Sequence, residues 1–236
     1  MAATEQKPEI VVHHLNNSRS ERIFWAFEEL NVPYDVKVYL RDPIAAPKEL
    51  KEVHPLGKSP VITDHGKTIA ESSTIIDYVM HTYTPAGTDT REFNLADSYW
   101  SNYSEGSLML FLQMTLVMMV SAQQAPFLAR TVINKFVDGV KAAYLLKQIQ
   151  TSVDYIESEL GKTPSGWFSG KSEPGAGDFM MSYPINTLVN GGRMPEVNVG
   201  PNVRKWMAAV QARPAYQRGM KRIEEEEARA KAAKKA

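Results

Sequence analysis

The residues whose types and spacing suit chemistry lie first in the stretch Pro55–Ser73. The turn Pro55-Leu56-Gly57 leads to Ser59-Pro60 and the apolar run Val61-Ile62-Thr63. An X-Pro bond entering a short strand is a candidate cis peptide, and backbone beside it can pair with an extended peptide as an added strand. Asp64-His65-Gly66-Lys67 reads as a hairpin turn, with Thr68-Ile69-Ala70 returning. Glu71-Ser72-Ser73 then opens a helix with apolar positions Ile75, Ile76, Val79 and Met80, and Ser72 or Ser73 is its expected N-cap. A helix N-terminus carrying serine can hold a carboxylate. Side by side, these two elements suit a short peptide-like ligand. A second hydroxyl stands at Ser18, where Ser18-Arg19-Ser20-Glu21 fits a capping box. It can cap a helix and still face a bound anion.

Other chemistries find less support. His13 and His14 are adjacent on a strand and point to opposite faces, so they cannot chelate one metal together. His54, His65 and His81 show no ligand spacing, and no metal site is expected. With Cys 0, disulfides, thiolate metal sites and a cysteine nucleophile are excluded. Gly57-Lys58-Ser59 imitates the end of a phosphate-binding loop, but Glu52 stands where its first glycine belongs and Pro60 follows. Gly175-Ala176-Gly177 starts a dinucleotide fingerprint that Met180 breaks. Lys+Arg 27 against Asp+Glu 27 leaves the chain formally neutral, which argues against general affinity for nucleic acid or an anionic membrane. Met1–Glu9 is polar and charged with no apolar signal core, so a cytoplasmic protein is expected.

The elements that must position these residues fall into two sets. Strand Ile10–His14, a helix from Ser18 with Ile23, Phe24, Phe27 and Leu30 on one face, and a strand with Val36, Val38 and Leu40 come first. Arg41–Val53 reads as a loop with a short helix from Pro47. With the hairpin and the helix after Glu71, the order βαβ then ββα is a thioredoxin-like α/β arrangement over residues 1–83. Thr84–Asp89 is a linker rich in breakers. Residues 92–236 then read as an all-α helical bundle domain. Its first helix runs from about Phe93 to Gln124. The apolar run Leu108–Val120 falls short of the roughly 18 residues a membrane span needs, so this helix is expected to be buried or to pack on a partner subunit. Met109, Met114, Met118 and Met119 are expected in the core. Trp100 and Tyr103 share a face and either wall a substrate site or pack. A helix from Ile133 to Leu160 ends at Gly161, Pro201 and Pro214 suit first turns of later helices, and the charged tail Glu224–Ala236 is expected to be solvated or frayed.

Ser59-Pro60, the hairpin and Glu71-Ser72 together resemble the glutathione site of the cytosolic glutathione transferases. The resemblance runs from about Glu9 to Met220 and is greatest to a fungal and bacterial branch whose first strand and helix read like His13-His14-Leu15-Asn16-Asn17-Ser18-Arg19. It implies a serine-type glutathione transferase that adds the glutathione thiolate to small hydrophobic electrophiles, with peroxidase side activity conceivable. A non-catalytic, glutathione-binding or regulatory relative is the alternative. Carried over by resemblance, Ser59 with Pro60 pairs its backbone with the cysteinyl part, Glu71 takes the γ-glutamyl ammonium and Ser72 the carboxylate. Lys58 is the candidate for the glycyl carboxylate, with Arg41 and His54 behind it. Trp100 and Tyr103 are candidates for the second-substrate site. The thiol-activating position narrows to Asn16, Asn17, Ser18 and Ser20, with Ser18 preferred and Asn17 its rival by register. Asp178 matches the family's helix-capping aspartate, while Gly175 stands where Ser or Thr is usual. A homodimer is implied, with glutathione as co-substrate and no metal.

Overall fold

The computed structural model describes residues 9–42, 44–84, 92–192 and 194–234. Within them the chain divides into two compact units, one formed by residues 1–94 with 210–236 and the other by 95–209. Most of the linker read at 84–89 lies outside the described residues.

In the first unit, β1 (Ile10–Leu15), β2 (Tyr34–Tyr39), β3 (Val61–Asp64) and β4 (Lys67–Ala70) form one sheet in the order β2-β1-β3-β4. β1 runs parallel to β2, with Val12 opposite Val36, and antiparallel to β3, with Val12 opposite Ile62. The parallel pair needs a crossover, which α1 (Glu21–Glu29) supplies. The β3–β4 hairpin turns through His65 at φ 44° and Gly66 at φ 78°, two positive values that match strand twist. The short α2 (Leu50–Val53) and α3 (Ser72–Tyr83) complete the α/β part.

The pattern of α1 predicts one buried face, yet Arg22 through Phe27 are all buried. The reason is a second cover. The C-terminal helix α10 (Pro214–Ala233) packs on α1, with Tyr216 edge-on to Trp25 and Gly219 so close to Phe24 that a Cβ would sit 3.1 Å from its carbonyl carbon. Arg213 pairs with Glu29, Arg218 with Glu28 at 2.9 Å, and Arg222 lies 4.0 Å over the Tyr34 ring. The tail expected to be solvated or frayed is helical rather than frayed, while most of its residues from Glu224 onward are exposed as expected. The helix runs to Ala233, and Glu227 reaches back to the buried His14.

The second unit is helical: α4 (Leu95–Tyr103), α5 (Leu110–Gln123), α6 (Phe127–Val140), α7 (Leu146–Lys162), α8 (Ala176–Val189) and the greater part of α9 (Pro201–Ala212). π-helical turns at Ser104–Met109 and Lys141–Leu145 join α4 to α5 and α6 to α7. The long first helix is not buried all round. Leu108, Met109 and Leu112 face the core, whereas Leu110 is 49% and Val117 53% exposed. Of the four methionines only Met109 is fully in the core, and Met114 is exposed. Leu95–Gln123 is long and apolar enough to cross a membrane by length and composition alone, a test that the core helix of a soluble protein also passes.

At the start of α8, Asp178 is fully buried and accepts from the N–H groups of Phe168 (2.8 Å), Ser169 (3.0 Å) and Gly175 (3.0 Å) and from Trp206 Nε1 (3.0 Å). Burial pushes its carboxyl up to about 6, against the pull of those four donors. Gly175 is not a weakened cap. A Cβ there would meet Asp97 Oδ1 at 2.4 Å, and that same oxygen accepts the Gly177 N–H at 2.9 Å. A carboxylate from α4 thus does what a capping hydroxyl usually does for the second helical N–H.

Candidate functional site

The site is built where β1, the N-terminal end of α1, β3 and α3 meet within the first unit. β1 ends at Leu15, and the chain turns through Asn16, Asn17 and Ser18 before α1 begins. Asn17 is exposed and holds φ 52°, a left-handed conformation that asparagine tolerates. The capping-box reading is corrected here. α1 starts at Glu21 with Ser20 as N-cap and no side-chain cap bond, so Ser18 lies in the turn ahead of the helix. Its hydroxyl is half-buried, 2.8 Å from Ser20 Oγ and 3.4 Å from Ser59 Oγ.

Ser59 locks the turn to the sheet. Its hydroxyl donates to the His13 carbonyl (2.9 Å) and accepts the Leu15 N–H (3.1 Å). The Ser59-Pro60 bond is cis, and Pro60 is buried at the mouth of β3. Lys58 beside it is exposed.

Glu71 is the N-cap of α3 and Ser72 the first helical residue, one place earlier than the cap expected at Ser72 or Ser73. Glu71 is exposed and sits at φ 71°, ψ 124°, whereas Ser72 is buried. A non-glycine residue held there costs about 1–3 kcal/mol, a kind of strain that concentrates at functional sites. The first N–H groups of α3 lie beside an acidic side chain, an arrangement able to take a carboxylate and an ammonium together.

Arg41 is engaged with the backbone. Its Nε donates to the Asn16 carbonyl (3.0 Å) and Nη1 to that of Ile44 (2.9 Å), while Asn16 Oδ1 accepts the Arg41 N–H (2.8 Å). It straps the Asn16–Asn17 turn. His54 follows α2, and its Nδ1 accepts the Leu56 N–H at 3.4 Å.

Trp100 and Tyr103 belong to the helical unit. Trp100 is buried, its ring 4.6 Å from Phe168 and stacked on Tyr155 at 5.7 Å; Tyr103 stacks on Tyr99 at 5.9 Å and is half-buried. An apolar hollow in the same unit is lined by Met109, Leu112, Leu116, Met119, Tyr183 and Met194.

One meeting of residues in this neighbourhood escapes a reading from sequence. His14 and Glu227 lie 213 positions apart yet meet at 3.1 Å, and Ser20 turns its hydroxyl to His14 Nδ1 at 2.5 Å. The paired histidines at 13 and 14 were the available signal. Nothing local marks Glu227.

Residues 18–82 match the family described as glutathione S-transferase, N-terminal domain. The chain is 35% identical over 222 residues to glutathione S-transferase 3 of Schizosaccharomyces pombe, covering 92% of this chain and 88% of the relative. It is 31% identical over 223 residues to glutathione S-transferase 1 of Saccharomyces cerevisiae, covering 89% and 93% respectively. A solved glutathione S-transferase from Actinobacillus pleuropneumoniae superposes with TM-score 0.66 at 26% identity, over 90% of this chain and 92% of that one.

Proposed function

The chain belongs to the glutathione S-transferase family, and from that premise we propose a serine-type glutathione transferase in which Ser18 activates the thiol. Glutathione's thiol has an unperturbed pKa near ~8.5, so only a small fraction is thiolate at neutral pH. A hydroxyl donating to sulfur, with the N-terminal dipole of α1 beyond it, lowers that value. The thiolate then attacks a small hydrophobic electrophile. The observation that supports the reading is the 3.4 Å approach of Ser18 Oγ to Ser59 Oγ, which sets the candidate donor beside the residue that leads into Pro60. Asn17 is exposed at a left-handed position, which supports Ser18 over it.

In this reading Ser59, next to Pro60, offers its backbone to the cysteinyl residue. Glu71 takes the γ-glutamyl ammonium, and Ser72 with the helix start takes the carboxylate. Lys58 takes the glycyl carboxylate, a role its exposure permits. Arg41 and His54 serve the site through the loops they hold. For the second substrate we keep Trp100 and Tyr103, with Tyr103 the more accessible ring. A cytoplasmic homodimer completes the proposal. The apolar faces left open on α5 and α6, including Met114, Val117, Val132 and Phe136, are the kind of contiguous surface a second copy covers.

The test is a conjugation assay with an activated aryl halide, run as pH–rate profiles. Ser18→Ala lowers kcat by about 10²-fold and moves the profile to higher pH, with a smaller change in glutathione affinity. A shift in Asn17→Ala and none in Ser18→Ala moves the role to Asn17. A wild-type chain that binds glutathione in calorimetry yet turns over neither the halide nor a hydroperoxide is the non-catalytic relative.

A further inference from the structure

Behind Ser18 runs a line of side chains that capping does not require. Ser18 Oγ is 2.8 Å from Ser20 Oγ, Ser20 Oγ is 2.5 Å from His14 Nδ1, and His14 Nε2 is 3.1 Å from Glu227 Oε1. Ser20 and His14 are buried, while Glu227 is partly open and also accepts from Lys231 at 2.8 Å. A serine at an N-cap ordinarily turns its oxygen to the helix. Ser20, whose backbone is already helical, makes no such bond, and its hydroxyl goes to His14 instead.

The chemistry of the two ends fixes the protons between them. An ionised carboxylate only accepts, so Nε2 of a neutral His14 carries the hydrogen and Nδ1 keeps its lone pair. Ser20 must then donate to Nδ1, and its oxygen is left to accept from Ser18. The Ser18 oxygen accepts the Ser20 N–H at 3.3 Å and, with its proton turned to Ser20, only approaches Ser59 Oγ at 3.4 Å; its remaining lone pair is the open end of the line. We propose that this line is a proton relay: the glutathione thiol loses its proton through Ser18 and Ser20 to His14, with Glu227 holding the imidazolium. The proposal rests on the reading of Ser18 as the residue that meets the sulfur.

The step balances without another reactant. The S–H bond breaks as Ser18 Oγ takes that proton, Ser18's own proton passes to Ser20, and Ser20's forms a new bond on His14 Nδ1. The electron pair stays on sulfur. Every link has then reversed. Nδ1–H donates to Ser20, Ser20 to Ser18 and Ser18 to the thiolate, so the donor the anion needs is polarised by the chain behind it. The charged groups bearing on His14 are Glu227 and Lys231. Burial is the larger influence and holds the imidazole below its usual range, Lys231 adding to this and Glu227 opposing it. His14 is thus neutral at pH 7 before glutathione binds, which is the form able to accept. Unperturbed thiol and imidazole differ by about two pKa units. Burial of His14 widens that difference even with Glu227 beside it, so the thiolate formed at the far end of the line and the reversed hydrogen bonds must offset it.

A purely structural cluster would hold the same hydroxyls in place, so the test follows the proton. Full-length protein is mixed with reduced glutathione in weakly buffered indicator solution near neutral pH, while thiolate absorbance is read in the ultraviolet. Wild type gains thiolate absorbance and releases far less than one proton per thiolate. In His14→Gln the bound thiol pKa rises by about one unit, and each thiolate that does form releases its proton to the indicator. Ser20→Ala behaves alike and carries the test if His14→Gln does not fold. Glu227→Gln, changed at the partly open end, shifts the pKa the same way by less. Release of one proton per thiolate by wild type, or an unshifted thiol pKa in both His14→Gln and Ser20→Ala, overturns the relay and leaves Ser18 as a simple donor. Absence of thiolate in wild type, or thiolate undiminished in Ser18→Ala, overturns the reading of Ser18 itself, and the relay with it.

Discussion

The starts of α1 and α8 are both helix N-termini where a buried polar group meets a serine- or glycine-containing turn, and they end differently. At α8 the buried carboxylate is matched by donors on every side. Four N–H donors converge on Asp178, and Asp97 takes the Gly177 N–H. At α1 the hydroxyls form a line that begins at buried Glu227-bound His14 and comes out half-buried at Ser18. A closed set of bonds has nothing left for a ligand and serves the fold. A line with an open end can offer one more bond, and that is where chemistry fits.

The sharpest way to break the comparison is at its closed end. Asp178→Ala strands four buried donors, a loss expected to cost about 3–5 kcal/mol. Chemical denaturation should show this directly, whereas Ser18→Ala leaves the unfolding midpoint nearly unchanged. Next in size is Glu71. On the proposed reading Glu71→Ala removes the ammonium's charged partner, worth about 1.5–3 kcal/mol, so calorimetry should find glutathione affinity down by tenfold or more. Glu71→Gly should lose the same affinity yet melt higher than Glu71→Ala, because glycine adopts φ 71° without strain.

A smaller effect tests whether Asp97 is the cap of α8. Asp97→Ala should cost about 1 kcal/mol, the usual worth of a cap. Gly175→Ser should also destabilise, by crowding Asp97 Oδ1. The double variant should recover part of both losses, since the new hydroxyl then has room to cap. Strict additivity would mean that Asp97 does not stand in for the missing serine.

Two pH slopes of opposite sign come last, read as gradients across pH rather than as a loss at one pH. His14 is held below its ordinary 6.5 by burial, so the unfolded chain binds more protons just below that pH, and stability falls as pH drops through 6.5. Asp178 is raised from 3.8 to about 6, so the folded chain binds more protons between those values, and stability falls as pH rises through 6. His14→Gln should remove the first slope and Asp178→Asn the second in denaturation series across that range. A variant that leaves its slope intact would assign the titration to another group.

The sequence by itself determined the elements of the first unit and the local features around Ser59-Pro60 and Glu71-Ser72. Periodicity placed β1, α1 and α3, a proline after Ser59 marked the cis bond now seen at β3, and Glu71-Ser72 marked the start of α3. These are local signals, written within a turn or two of the residues they describe. Only the tertiary structure decided which groups meet across long separations. It set Glu227 against His14, packed α10 on α1 so that both faces of α1 are buried, and put Asp97 into the space that Gly175 leaves. It also set the start of α1 at Glu21, with Ser18 in the turn ahead and the Ser20 hydroxyl on His14. A charge on a helical tail reads as solvated when nothing nearby needs it. Its partner was a buried imidazole on the first strand, and a pairing of that kind is fixed by packing, which no local pattern records.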